Sequence, residues 1–255
     1  MGRLESALRG VVAGGGKAFV PYVTGGFPGV DAELLRSLQE LGADAIEVGI
    51  PHSDPVMDGG VIQEASRIAL ERGTRVDDVL RTVADAAVEV PVAIMSYANP
   101  VQRRGPEAFC DDLAGAGVAG TIVPDLPVDE ADPLEGPATA RGIDLVLLAA
   151  PGTTPERYAA IAAASHGFVY CVATYGVTGA RDQLAATARQ VVDALRPDTD
   201  LPLLVGVGIG TPDQARAACG FADGAIVGSA LMSLLVDGDR DGAVALAGEF
   251  RAAIA

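Results

Sequence analysis

Short runs of apolar, largely β-branched residues recur along the 255-residue chain, and between them lie longer segments in which apolar positions return every three to four residues. The first pattern belongs to strands covered on both faces, the second to helices that bury one face. The strand-like runs are 18–23, 45–48, 92–96, 120–123, 144–148, 168–172, 202–206 and 224–227. Helical periodicity covers 31–41, 61–71, 76–87, 106–114, 134–141, 155–164, 184–195, 212–219 and 242–253, with a first helix at 4–12 and a short one opening at Ala230. Thr154-Pro155 and Thr211-Pro212 each place a capping hydroxyl before a proline suited to the first helical turn.

Such alternation predicts repeated βα units on a parallel sheet. Eight units of this length, with no Ser/Gly linker or compositional break, fit a closed (β/α)8 TIM barrel with an additional N-terminal helix better than a doubly wound sheet. The chain therefore reads as one domain over residues 1–255. The stretch between the second and third strands, including 51–60, is too long for a minimal βα turn and predicts a functional loop over the barrel mouth.

Composition narrows the class of partner. With 49% hydrophobic and 20% charged residues the chain can bury a large core, and its net charge of −16 opposes nucleic-acid and anionic-membrane surfaces. Cys110, Cys171 and Cys219 have no CxxC spacing and read as reduced core thiols rather than metal ligands. The N-terminus lacks a basic segment followed by a long apolar core, and no stretch approaches a membrane span, so a cytoplasmic location is expected.

In barrels of this kind, chemistry sits at the C-terminal ends of the strands, and phosphate often binds the loops after strands seven and eight. Gly206-Val207-Gly208-Ile209-Gly210-Thr211 follows the seventh strand and Gly228-Ser229 the eighth, and neither segment contains Lys or Arg. A phosphate there would be met by backbone N–H groups and a helix N-terminus. Taken singly, these glycines could equally serve tight turns. Glu47 stands at the end of the apolar run Ala45-Ile46-Glu47-Val48, where a Val or Ile is the ordinary occupant. Facing the barrel mouth, it would be desolvated and able to donate a proton near neutral pH; facing outward, it would pair with a helix arginine. Asp58 lies in the loop, where Asp commonly forms turns, although Asp54 before Pro55 suits that role better. His52 reads as an acid/base or a capping ring, and His166 as a loop residue.

Together, Phe19-Val20-Pro21-Tyr22-Val23-Thr24-Gly25-Gly26, Glu47-Val48-Gly49-Ile50-Pro51, Ser53-Asp54-Pro55, Asp58-Gly59 with Ile62-Gln63, Tyr97-Ala98-Asn99-Pro100, Gly176-Val177-Thr178-Gly179 and Gly228-Ser229 resemble the tryptophan synthase α subunit family nearly end to end. The resemblance implies retro-aldol cleavage of indole-3-glycerol phosphate to indole and glyceraldehyde 3-phosphate. It also implies no cofactor in this chain, and a β subunit that carries pyridoxal phosphate, receives the indole and completes an α2β2 complex. By the same resemblance Glu47 is the acid/base, and Asp58 accepts the indole N–H as positive charge builds on the ring. Tyr170 positions the glycerol and Glu47, Tyr22 and Met95 line the indole site, and Thr178 belongs to a closing loop. Gly179, Gly208, Gly228 and Ser229 contact phosphate.

Four positions depart from the family pattern. His52 stands where Phe or Tyr is usual, Gly60 where Pro is usual, Val207 where an aromatic is usual, and Tyr175 where a small residue is usual. Val207 lies beside the phosphate cradle, and Gly60 loosens the loop that carries Asp58 and, in the family, helps face the β subunit, so the departures weigh on partner coupling more than on the chemistry. An autonomous lyase releasing free indole, a non-catalytic activator of a partner and an isomerase of another phosphosugar are the other readings.

Overall fold

The computed structural model describes residues 1–172, 181–206 and 208–255, with backbone alone for 181–185. Tyr175, Thr178 and Gly179, together with Gly176, Val177 and Val207, lie outside the described residues.

In chain order the strands are β1 (Ala18–Thr24), β2 (Ile46–Gly49), β3 (Val92–Met95), β4 (Gly120–Ile122), β5 (Asp144–Val146), β6 (Leu148–Ala149), β7 (Val169–Val172), β8 (Leu203–Gly206) and β9 (Gly224–Val227). All pairings are parallel, in the order β5-β4-β3-β2-β1-β9-β8-β7-β6. The fifth expected strand is thus split: β5 pairs with β4, β6 pairs with β7, and only Leu147 separates them. The Leu147 carbonyl still accepts the Tyr170 N–H at 3.0 Å. Covalent continuity through Leu147 closes the ladder, so nine strand segments make the eight staves of a (β/α)8 barrel.

The helices are α1 (Arg3–Ala13), α2 (Ala32–Glu40), α3 (Gly60–Glu71), α4 (Val76–Ala86), α5 (Ala98–Arg104), α6 (Pro106–Gly115), α7 (Asp132–Ala140), α8 (Pro155–Ala164), α9 (Arg181–Leu195), α10 (Pro212–Cys219), α11 (Ser229–Val236) and α12 (Arg240–Ile254). Both expected caps form: Thr154 accepts the Arg157 N–H at 3.4 Å and Thr211 the Gln214 N–H at 3.3 Å. Helix α5 escapes the periodic reading because its seven residues, Ala-Asn-Pro-Val-Gln-Arg-Arg, bury only Val101. Its start is held from elsewhere, by Asp125 Oδ1 accepting the Ala98 N–H at 2.8 Å.

Side chains alternate across each strand, so register fixes what faces the barrel interior. Tyr22 pairs with Glu47, Glu47 with Ala93, and Gly49 with Met95, which puts these residues on one inward face near the strands' C-terminal ends. The opposite end is sealed by α1. Leu4 and Leu8 are wholly buried, and the Gly2 and Glu5 N–H groups donate to the Asp144 carboxylate at 3.2 and 3.0 Å. Gly120 leaves room for Leu4, whose side chain would lie 2.5 Å from a Cβ there. With one end plugged, a small molecule enters at the C-terminal end. The three cysteines are free and buried, as expected.

Candidate active site

Glu47 points inward, not toward a helix arginine. It is 1% exposed, and its Oε2 is fully buried with no hydrogen-bond partner among the described residues. A carboxylate denied water and donors resists ionisation, and the nearby Asp58 charge adds to the effect. Burial and Asp58 push the Glu47 carboxyl up to about 8. At neutral pH it is a carboxylic acid, able to give up a proton to a basic carbon.

Asp58 reaches the same space from the loop between β2 and α3. A turn sets its backbone, with the Asp58 N–H donating to the Pro55 carbonyl at 3.0 Å. Gln63 braces the turn from the first coil of α3, its Nε2 donating to the Asp58 carbonyl at 2.9 Å. Burial raises the Asp58 carboxyl to about 6, while the nearby Tyr97 hydroxyl works in the opposite direction. The two carboxyls are therefore pushed to separate values, one mostly neutral and the other mostly charged at pH 7. Asp54 also forms a turn, but through its backbone: its carbonyl accepts the Val56 N–H at 2.9 Å, while its side chain accepts the Ser53 hydroxyl at 2.8 Å.

Two tyrosines flank the pair. Tyr22 on β1 is buried and its hydroxyl lies 3.3 Å from Thr24 Oγ1. Tyr170 comes from β7, across the barrel. Burial raises both phenols well above their ordinary value, with Glu47 and Asp58 adding to each, so all four groups share one electrostatic neighbourhood. Each hydroxyl sits over a glycine at the end of the next strand. A Cβ on Gly49 would lie 2.2 Å from the Tyr22 oxygen, and one on Gly206 would lie 2.2 Å from the Tyr170 oxygen. Met95, 8% exposed at the end of β3, completes an apolar side.

The glycine loops beside this pocket differ from each other. Gly208 has φ +87°, a left-handed conformation that favours glycine. Beyond it, the Gly210 and Thr211 N–H groups both donate to Gln214 Oε1, at 2.7 and 3.1 Å. The start of α10 is thus satisfied by its own capping box, which narrows the anion site suggested by the glycine run. The start of α11 has no such cap: Gly228 is its N-cap residue and contributes no side chain. Unfilled N–H groups at a helix N-terminus suit an anion. A Cβ on Gly59 would lie 3.8 Å from Ser229 Oγ, so the Asp58 loop borders the α11 terminus. A Cβ on Gly228 would lie 3.0 Å from the Tyr22 ring, so this glycine also makes room for Tyr22.

The geometry thus joins Glu47, Asp58, Tyr22, Met95, Tyr170, Gly228 and Ser229 around one mouth, with Gly208 on the adjoining β8–α10 loop. Thr178 and Gly179 lie outside the described residues. Reasoning from sequence gave no separate role to Tyr97, whose signal was an aromatic residue directly after the third strand. His52 is not a cap: it stacks on Tyr97, centroids 4.6 Å apart and planes 14° from parallel. His166 lies away from this mouth, 3.6 Å from Glu135. Among the described residues no group of three or more His, Cys, Asp or Glu could hold a metal ion, and no helix is long and apolar enough to cross a membrane.

A family model described as tryptophan synthase alpha chain matches residues 9–250. The tryptophan synthase alpha chain of Microcystis aeruginosa is 44% identical over 242 residues, covering 93% of this chain and 92% of the relative. That of Streptomyces avermitilis is 44% identical over 255 residues, with 96% and 92% covered. Among solved structures, tryptophan synthase from Mycobacterium tuberculosis superposes with a TM-score of 0.91 at 40% identity, covering 99% of this chain and 98% of that one. Tryptophan synthase subunit alpha from Legionella pneumophila gives 0.89 at 34% identity, with 100% and 98% covered.

Proposed function

The chain belongs to the tryptophan synthase alpha-chain family, the lyase that cleaves indole-3-glycerol phosphate, and we propose that Glu47 and Asp58 divide this chemistry between them. The un-ionised Glu47 donates its proton to C3 of the indole ring. Positive charge then develops on the ring nitrogen, where the Asp58 carboxylate accepts the N–H and stabilises the transition state more than the ground state. The glycerol hydroxyl next to C3 returns a proton to Glu47 as its oxygen becomes the aldehyde carbonyl. The carbon–carbon bond breaks, and its electron pair restores the aromatic ring. Glu47 ends the cycle as it began, and no electrons are exchanged with a third party.

The observation that carries this reading is the inward Glu47 carboxyl beside Asp58, its buried Oε2 without a partner among the described residues, at a mouth bordered by an uncapped helix start. Tyr170 holds the glycerol hydroxyls, Tyr22 and Met95 enclose the indole, and Gly208, Gly228, Ser229 and Gly179 meet the phosphate, with Thr178 closing over it. Family membership implies a β-subunit partner, which we place in an α2β2 assembly that receives the indole and holds the pyridoxal phosphate. The reading also places the chain in the cytoplasm. Incubating the purified chain with indole-3-glycerol phosphate should give indole and glyceraldehyde 3-phosphate in equal amounts. Asp58→Asn should lose most of this turnover, and wild-type rates in that variant would remove Asp58 from the mechanism.

A further inference from the structure

We infer that Tyr97 is a positioning residue for Asp58, and that His52, stacked on its ring, holds Tyr97 in place. The inference rests on the lyase reading above and adds to it the parts that aim its second carboxylate. Asp58 stands on a ten-residue connection, 50–59, and a catalytic carboxylate on a loop needs support from a rigid element. Tyr97 supplies that support. It lies one residue beyond β3, is 2% exposed, and forms the N-cap of α5.

Its hydroxyl meets the loop twice. It accepts the Met57 N–H at 3.0 Å, fixing the backbone beside Asp58, and it lies close enough to the Asp58 carboxyl to favour its charged form. That effect opposes the burial that would otherwise neutralise Asp58. On the other side, the near-parallel His52 ring lies at the start of the same loop, so loop and tyrosine clamp each other at both ends. This accounts for a histidine where the family usually has Phe or Tyr: a flat ring is what the contact requires. The titratable groups facing Asp58 are Glu47 on β2, Tyr22 on β1, Tyr170 on β7 and Tyr97, with Asp125 acting on Tyr97.

The test is Tyr97→Phe in the full chain, which keeps the ring and its stack. Loss of a hydroxyl that favours the charged carboxylate should lower kcat/KM roughly 10- to 100-fold. The distinguishing readout is the acid limb of the kcat/KM–pH profile, which should move upward as Asp58 becomes harder to ionise; a purely structural tyrosine would lower activity without moving it. The substrate phosphate titrates in the same region but is common to both proteins, so it contributes nothing to the difference. His52→Phe should retain activity, and His52→Ala should reduce it. An active wild type with an unshifted limb in Tyr97→Phe would overturn the inference alone. No cleavage by the wild type would instead overturn the lyase reading, and this inference with it.

Discussion

Replacing Glu47 by Gln is expected to abolish turnover while removing a pH-dependent burden on the fold. The carboxyl titrates near 4.5 when unfolded and at about 8 in the barrel. Between those values the unfolded chain has released the proton and the folded protein keeps it, so stability falls as pH rises, by roughly 1.4 kcal/mol per pH unit. The loss begins near pH 4.5, amounts to about 3 kcal/mol at pH 7, and levels off at about 5 kcal/mol above pH 8. Gln has no proton to lose. Its amide does place donors where Oε2 already lacks a partner, at a pH-independent cost of about 1–3 kcal/mol. At pH 7 the two effects nearly offset, so the signal is the slope. Denaturant unfolding of both proteins followed by circular dichroism should show the variant gaining about 4 kcal/mol on the wild type between pH 5 and pH 8. Turnover should drop at least roughly 10²-fold, the low end for loss of a general acid–base. Parallel stability curves would refute the claim that the fold holds this carboxyl un-ionised, and retained turnover would refute its role.

Three further outcomes follow from the same geometry. The free-enzyme profile of kcat/KM should be bell-shaped, rising through about 6 as Asp58 ionises and falling through about 8 as Glu47 loses its proton, both limbs belonging to the coupled pair; activity still climbing at pH 9 would contradict this. Gly60→Pro should be tolerated, because Gly60 is the first residue of α3, Gly59 before it is extended at φ −71° and ψ 159°, and a Cβ at Gly60 meets nothing within 4 Å. Thermal unfolding should report a gain of about 0.4–1 kcal/mol, and destabilisation would show that this turn has another conformation. Gly228→Val should weaken glycerol 3-phosphate binding by up to about thirtyfold, the equivalent of roughly 2 kcal/mol of helix-terminus interaction, and an unchanged titration would place the phosphate elsewhere.

Much of the barrel was legible because its strands are buried on both faces and its helices on one, and each pattern has its own period. Leu147 shows where that reading stops: a break in a stave leaves hydrophobicity unchanged and alters only which neighbour each half pairs with. Helix α5 was missed because its start depends on Asp125, 27 residues away, and not on its own periodicity. Glu47 was visible as a carboxylate in an apolar strand, yet its direction became clear only from the register with Tyr22. Tyr97 and His52 could not be linked from sequence, since ring stacking between two loops leaves no periodic trace. Gly228 was read as open backbone for an anion, and the fold adds a second demand on it, the Tyr22 ring.

The central claim is tested most directly by following indole release from indole-3-glycerol phosphate by the purified chain, alone and with a tryptophan synthase β subunit. Serine is left out, so that the partner cannot consume the indole. The chain contains no tryptophan, so in the partner-free arm indole fluorescence is read without background from that residue; chromatography serves both arms. Slow release alone, accelerated by the β subunit, is the predicted result. No indole in either arm would contradict the lyase function, and rapid release that the β subunit leaves unchanged would contradict its place as a subunit.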